Sequence, residues 1–162
     1  MPSPFYLPFD YSHHCEDHPD GLLMPVALQC GQTFHKTFAS VDTAASVCLF
    51  SREIGEILGL DIEQGLYKRL GTLAGGLDAF GHEVGIQTLD IALYSTIYFA
   101  RDYHLPRNLL GRTGWLNKLR FGLIEYDRLI YTKHGHKWSF SNTKVQRNKG
   151  TKELMKKKPL TL

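Results

Sequence analysis

Short runs rich in Val, Phe and Thr, interrupted by turn residues, constrain the fold of this chain more than any other feature. The first two runs are LMPVALQCG and QTFHKTFASVD, and the turn candidate Cys30-Gly31 lies between them. Two strand-like runs joined by a tight glycine turn are typical of a β-hairpin. The sequence therefore predicts that an antiparallel hairpin begins near Leu22.

Further strand-like runs follow at close spacing. A long hairpin with a glycine-rich tip is expected around residues 66–93, then a strand near Tyr94, and then the paired runs RFGLIEY and DRLIYT, which end near Thr132. Short helices are expected at residues 51–58, with Ser51 as the N-cap, and at residues 113–119. This pattern predicts an all-β fold, a small closed or partly closed β-barrel with one or two short helices.

Composition and charge divide the chain into three parts. The 162 residues are 43% hydrophobic and 22% charged, which excludes wholesale disorder. We expect an irregular arm over residues 1–20, one domain over residues 21–132, and a basic, flexible tail over residues 133–162. The tail holds nine Lys and Arg against Glu153 alone, a net +8, so the chain's +3 leaves −5 for residues 1–132.

Nothing in the sequence indicates a membrane partner or export. No apolar run approaches the roughly 18 to 20 residues that span a bilayer, and the start MPSPFYLPFD does not resemble a signal peptide. A cytoplasmic location is the expectation. The cysteines Cys15, Cys30 and Cys48 are odd in number and widely spaced, which favours free thiols.

The segment FASVDTAASVCLF, residues 38–50, is the most informative one for function. An apolar strand runs into Asp42, then into small residues, then into a second apolar strand. A carboxylate in this position, with space beside it, suits proton transfer. An Asp that opens a tight turn between two strands is the structural alternative.

Two further features accompany Asp42. A glycine-rich hairpin lies at residues 71–81, and the sequence NLLGR lies at residues 108–112. With these motifs in this order, residues 20–132 resemble the retropepsin-like aspartic proteases of retroviruses, retrotransposons and their bacterial and cellular relatives. The phrases VDTAASVCLF and NLLGRTGW look most similar to the prokaryotic group of retroviral-like aspartyl proteases.

The resemblance implies a role for each matching residue. Asp42 would be the catalytic aspartate, Thr43 would lock two active-site loops together across a dimer, and Ala44 would face the substrate. The supporting loop continues through Ala45 and Ser46. The flap tip over the substrate would comprise Ala74, Gly75, Gly76, Leu77 and Asp78. The loop beneath the active site would comprise Leu109, Leu110, Gly111 and Arg112, with Arg112 as the brace.

The chemistry of an aspartic protease requires two carboxylates that share one proton. No other aspartate of the chain is followed by Thr or Ser and a small residue. A homodimer that brings together two copies of Asp42 is therefore expected, with a peptide or protein as its substrate. No metal and no organic cofactor are implied.

The chain departs from the family pattern at two positions. Ala44 occupies the usual glycine position, and its methyl group crowds the substrate side. Ser46 stands where viral enzymes often carry an acid, so a contact with Arg112 would be a hydrogen bond. An extended peptide would lie under both flaps, and apolar pockets would be lined by residues such as Val47, Leu73, Ala79 and Ile97.

Two other functions are open on the sequence. A retropepsin-like dimer weakened by Ala44 would bind extended peptides without cutting them. A nucleic-acid-associated protein would act through the tail, where Trp138 and Phe140 stand among the lysines, although a solvated, flexible extension is the favoured interpretation of this segment.

Other reactive residues favour structural roles. Cys48 lies in an apolar run, where a thiol is usually an inert core residue. A cluster near the start of the chain has the ligand types of a zinc site, namely His13, His14, Cys15, Asp17 and His18. Adjacent histidines, however, do not easily reach one tetrahedral ion. An exposed arm is the favoured interpretation of this cluster.

Overall fold

A computed structural model of the chain describes residues 6–72 and 75–135. Within these ranges it contains ten strands, one α-helix and three 3-10 helices. The strands are β1 Tyr11–His14, β2 Leu23–Cys30, β3 Thr33–Val41, β4 Leu49–Phe50, β5 Leu66–Thr72, β6 Gly75–Thr88, β7 Ile91–Ala100, β8 Leu109–Leu110, β9 Leu119–Ile124 and β10 Leu129–His134. The helix α1 spans Arg52–Ile57, and the 3-10 helices span Ile62–Gln64, Leu116–Lys118 and Glu125–Asp127. The predicted all-β fold is confirmed.

Seven strands form a sheet that closes on itself. Their order is β2-β3-β8-β4-β7-β6-β5, and β2 also pairs with β6. This extra pairing closes six strands into a barrel and leaves β5 attached to β6 alone. The expected small β-barrel is therefore present, since closure removes the unpaired strand edges that a short open sheet would expose.

The barrel core follows from the alternation of side chains along each strand. In β2, buried Met24, Val26 and Leu28 alternate with less buried neighbours. The largest fully buried side chains are Trp115, Phe50 and Phe99, which lie on three different segments. Burial of such aromatic side chains dominates the stability of a small domain.

Local sequence signals explain the first hairpin and the helix. Gly31 adopts a φ of +57° in the turn between β2 and β3, a conformation that glycine takes at no steric cost. Helix α1 begins after Ser51 and ends before Gly59, whose φ is +80°. Both elements lie where the sequence predicts them.

A second sheet corrects the prediction of an irregular arm over residues 1–20. Residues 11–14, in the arm that the sequence predicts to be irregular, form β1, which pairs antiparallel with β10 in the order β1-β10-β9.

The helix expected at residues 113–119 is only the 3-10 turn Leu116–Lys118. Thr113 pairs with Val47 in a parallel bridge and Gly114 has a φ of +106°, so a helix cannot begin at these residues.

The described residues bear on two further expectations, which concern membrane-spanning segments and disulfide bonds. The helices found there are too short and too polar to cross a lipid bilayer. Cys15, Cys30 and Cys48 are all free thiols, as expected. Most of the basic tail, residues 136–162, lies outside the described residues.

Candidate active site

Asp42 follows the last residue of β3, and its own loop holds its carboxylate. Oδ1 accepts hydrogen bonds from the backbone N–H groups of Ala44 at 2.9 Å and Ala45 at 3.0 Å. Within the described residues, Oδ2 has no hydrogen-bond partner. Two donors on one oxygen fix the plane of the carboxylate and leave the other oxygen available to a second group.

Residues 42–48, between β3 and β4, are called the Asp42 loop. This loop is held against the segment that contains β8. The N–H of Asp42 donates to the carbonyl of Leu110 at 3.0 Å, and the N–H of Arg112 donates to the carbonyl of Ala45 at 2.9 Å. β8 lies between β3, to which it is parallel, and β4, to which it is antiparallel. The two strands that flank the loop therefore share one short central strand, which fixes the position of Asp42.

Gly111 permits the close approach of these two segments. A Cβ atom at this position would lie 2.5 Å from the carbonyl carbon of Val47 and 2.9 Å from the carbonyl oxygen of Ala45. The N–H of Gly111 donates to the Sγ atom of Cys48 at 3.3 Å. Burial raises the pKa of the Cys48 thiol to about 12, so this thiol is a neutral core group at physiological pH.

The Arg112 side chain, predicted to brace the Asp42 loop, does not do so within the described residues, and main-chain hydrogen bonds connect the two segments instead. The N–H of Thr113 donates to the carbonyl of Ser46 at 3.0 Å. The side chain of Arg112 is exposed and makes no hydrogen bond or ion pair with any described residue. Thr43 is exposed as well, in the loop where the resemblance expects a dimer contact.

Asn108 has a structural role that sequence reasoning missed. Its Oδ1 atom accepts from the N–H of Ser51 at 3.0 Å, and its Nδ2 atom donates to the carbonyl of Phe38 at 3.1 Å. One amide thus joins β3, the segment before β8 and the start of α1. Its position directly before Leu-Leu-Gly was the available signal, because an amide both donates and accepts.

The paired strands of the glycine-rich hairpin extend to Thr72 and Gly75, whereas the sequence predicts a tip over residues 74–78. Thr72 pairs with Gly75 and Gly71 with Gly76, so Gly75 and Gly76 lie beside the tip. Leu77 and Asp78 lie further down the strand, in regular pairs with β5. Ala74 and Leu73 lie outside the described residues.

A second apolar cluster lies on the face of the sheet opposite to the main core. Its buried members are Val47, Leu49, Ala79, Tyr98 and Ala100, with Leu70, Leu77, Leu105 and Leu109 packed against them. The cluster brings the glycine-rich hairpin into contact with the strands around the Asp42 loop. Two predicted pocket residues, Val47 and Ala79, belong to it, whereas Ile97 belongs to the main core.

The His and Cys residues of the arm point to opposite faces, because side chains alternate along β1. His14 is exposed, whereas His13 is half-buried and Cys15 belongs to the barrel core. Burial lowers the pKa of His13, which favours its neutral form. Among the described residues, no three His, Cys, Asp or Glu side chains are grouped so as to hold a metal ion.

Comparisons with known proteins give a likeness in structure and none in sequence. No family model and no curated protein matches the sequence. Among solved structures, the chain is similar to the EIAV protease in complex with the inhibitor HBY-793, at 16% sequence identity. The match covers 60% of this chain and 86% of that chain, with a TM-score of 0.46.

Proposed function

We propose that this chain is one half of an aspartic endopeptidase, in which the Asp42 residues of two identical copies activate one water molecule. The observation that carries the proposal is the state of the Asp42 carboxylate. Oδ1 is fixed by two backbone N–H groups, while Oδ2 has no partner among the described residues. A carboxylate held in this way has a set orientation and one free oxygen, as a shared-proton pair requires.

The reaction uses both copies of Asp42 in different protonation states. The ionised carboxylate takes a proton from the water, and the oxygen of that water attacks the carbonyl carbon of the peptide bond. The protonated carboxyl gives its proton to the carbonyl oxygen, which forms a tetrahedral diol. Transfer of a proton to the nitrogen and loss of the amine then break the C–N bond.

Dimerisation follows from the single copy of the motif. One chain supplies one carboxylate with this surrounding, since no other aspartate is followed by Thr or Ser and a small residue. Exposed Thr43 lies directly after Asp42 and offers a hydroxyl to the second copy. A two-fold axis beside Asp42 would bring the two carboxylates together.

The second apolar cluster supports an apolar peptide as the substrate. It lies between the glycine-rich hairpin and the strands on either side of the Asp42 loop, and its leucines at 70, 77, 105 and 109 are only partly buried. An extended peptide would pair with the hairpin through its backbone and place apolar side chains against these leucines.

The local backbone accepts Ala44 in place of glycine. Among the described non-glycine residues, a positive φ occurs at Leu89, His104 and Arg128, and not at Ala44. Alanine therefore introduces no backbone strain in the turn, and its N–H still donates to Asp42. This favours a working protease over a module that only binds peptides. Kinship with the prokaryotic group stays a prediction.

The decisive experiment is mass spectrometry of a diverse peptide mixture after incubation with the full chain, from about pH 4 to pH 7. The Asp42→Asn variant keeps an oxygen that accepts from Ala44 and Ala45, so it should fold. It should lose at least about 100-fold in cleavage rate, because the shared proton is lost. Asp61→Asn removes a charge from an exposed aspartate and is the matched control.

Each result has a clear meaning. Cleavage that the Asp61→Asn variant keeps and the Asp42→Asn variant loses supports the proposal. Cleavage that persists in Asp42→Asn refutes it. If none of the three folded proteins cleaves peptides but all of them bind peptides, the chain is a peptide-binding module instead of a protease.

A further inference from the structure

The glycine-rich hairpin leaves the barrel at Asp78. β6 pairs with β7 only from Ala79 onward, where Ala79 faces Ala100. Residues 75–78 pair with β5 alone. We call β5 and residues 75–81 the flap, and Asp78 therefore lies at the root of its projecting part.

Three side-chain donors from two other segments converge on the Asp78 carboxylate. Oδ1 accepts from the hydroxyl of Tyr67 at 3.0 Å and from Nη1 of Arg69 at 3.1 Å, both on β5. Oδ2 accepts from Nη1 of Arg101 at 2.8 Å, just beyond β7. The side chain of Asp78 is only 16% exposed, whereas those of Arg69 and Arg101 are 64% and 47% exposed, so a shielded carboxylate is held by two arginines that reach the surface.

Arg101 connects this junction to the barrel. Its N–H donates to the carbonyl of Asp78 at 2.8 Å, and its guanidinium lies 5.6 Å from the centre of the Phe80 ring. Its carbonyl accepts from Nη1 of Arg52 on α1 at 2.8 Å. A continuous set of contacts thus runs from α1 through Arg101 and Asp78 to both strands of the flap.

Asp78 lies on the side of the flap away from the second apolar cluster. Leu77 and Ala79 belong to that cluster, whereas Phe80 belongs to the main core. Because side chains alternate along a strand, Asp78 shares a face with Phe80 and not with Leu77. The carboxylate is therefore not aimed at the side of the flap on which the proposed substrate would lie.

We propose that Asp78 is a positioning residue that clamps the root of the flap, so that the projecting hairpin moves as one stiff unit. The clamp joins β5 to β6 through Arg69 and joins the flap to the barrel through Arg101. Without it, two arginines and a tyrosine lose their common acceptor. The flap then keeps its strand pairing, the hydrogen bond from the Arg101 N–H to the Asp78 carbonyl, and the apolar contacts of Leu70 and Leu77. The catalytic consequence of the clamp rests on the proposed protease function, but its mechanical consequence does not.

The test is hydrogen–deuterium exchange of the full chain, with Asp78→Asn beside wild type. The amides of residues 66–72 and 75–78 should exchange about 5-fold faster in the variant, while the barrel strands keep their wild-type rates. Asp90→Asn is the matched control, because Asp90 is an exposed aspartate in the turn at the opposite end of β6. Unchanged flap exchange in Asp78→Asn, or equal acceleration in Asp90→Asn, would overturn the clamp.

A second variant separates a clamp from a general loss of stability. Arg101→Gln should also accelerate the flap amides, and the effect of the double variant relative to wild type should be smaller than the sum of the two single effects. Acceleration spread evenly over β2, β3 and the flap would mean global loosening and would also refute the proposal.

Kinetics supply a readout that a merely structural role would not move. If wild type cleaves peptides, Asp78→Asn should raise KM about 5-fold with little change in kcat, because the carboxylates at Asp42 are untouched. A fall in kcat at constant KM would contradict a positioning role. Exchange rates thus decide on the clamp even where no cleavage is seen, and cleavage decides on the protease.

Discussion

The Asp42 loop and the flap meet at the second apolar cluster, yet they are built in opposite ways. The loop is held on both sides by main-chain hydrogen bonds to residues 110–113, with a glycine at the closest approach. The two strands of the projecting part of the flap pair only with each other, and beyond its root this part contacts the barrel through the apolar side chains of Leu70 and Leu77. The two regions therefore differ in how many other segments hold them through main-chain hydrogen bonds.

Substitution of a glycine in each region gives the largest expected contrast in stability. Gly111→Ala should cost about 3 kcal/mol or more, because the new Cβ meets two backbone carbonyls that cannot move aside. Gly71→Ala, in β5, should cost less than about 1 kcal/mol, since nothing lies within 4 Å of the added atom. Urea unfolding of both variants measures the difference, and similar midpoints would show that the loop is not tightly packed.

Substitution of Asn108 tests how much the connection between β3, β8 and the start of α1 depends on one side-chain amide. Asn108→Ala should cost about 2 kcal/mol, because the N–H of Ser51 and the carbonyl of Phe38 both lose a partner. Asn108→Asp keeps the acceptor for Ser51 and should recover part of that loss. Thermal unfolding of the three proteins measures the order, and an Asp variant less stable than the Ala variant would contradict the assignment.

Stability at alkaline pH reports on the Cys48 thiol behind the loop. The folded-state pKa is raised to about 12 from an ordinary value of 9.0, so the folded state retains a proton that the unfolded chain releases first. The stabilisation from this thiol is fully present below pH 9.0 and is lost as the pH rises toward 12. Unfolding of Cys48→Ala should lack this component of the pH dependence, and an identical slope in both proteins would exclude the thiol as its source.

The smallest expected effect concerns Gly76 in the flap. An added Cβ would meet the guanidinium of Arg69, which is the end of a flexible side chain and can move. Gly76→Ala should therefore cost less than about 1 kcal/mol in global stability while weakening the contact of Arg69 with Asp78. Exchange of the flap amides should rise without a shift in melting temperature. A large drop in melting temperature would show that the flap is packed as tightly as the loop.

Much of the fold could be predicted because its signals are local. The β2–β3 turn at Gly31, the end of α1 at Gly59 and the hairpin of β5 and β6 are each encoded within a few residues. The candidate site was proposed from local signals too, because Asp42 is bounded by apolar strands and small residues. Pairing of β1 with β10 was missed, since it joins residues such as Tyr11 and Thr132 that are far apart in the sequence.

The site shows the same division between local and distant information. Asp42, its small neighbours and the Leu-Leu-Gly-Arg segment can be recognised from the sequence alone, because each consists of consecutive residues. Only the folded chain brings Leu110 against Asp42, sets Asn108 between three segments and gives Asp78 its two arginines. The physical reason is that turns and strand patterns depend on neighbouring residues, whereas hydrogen bonds and ion pairs between distant segments form only once the barrel closes.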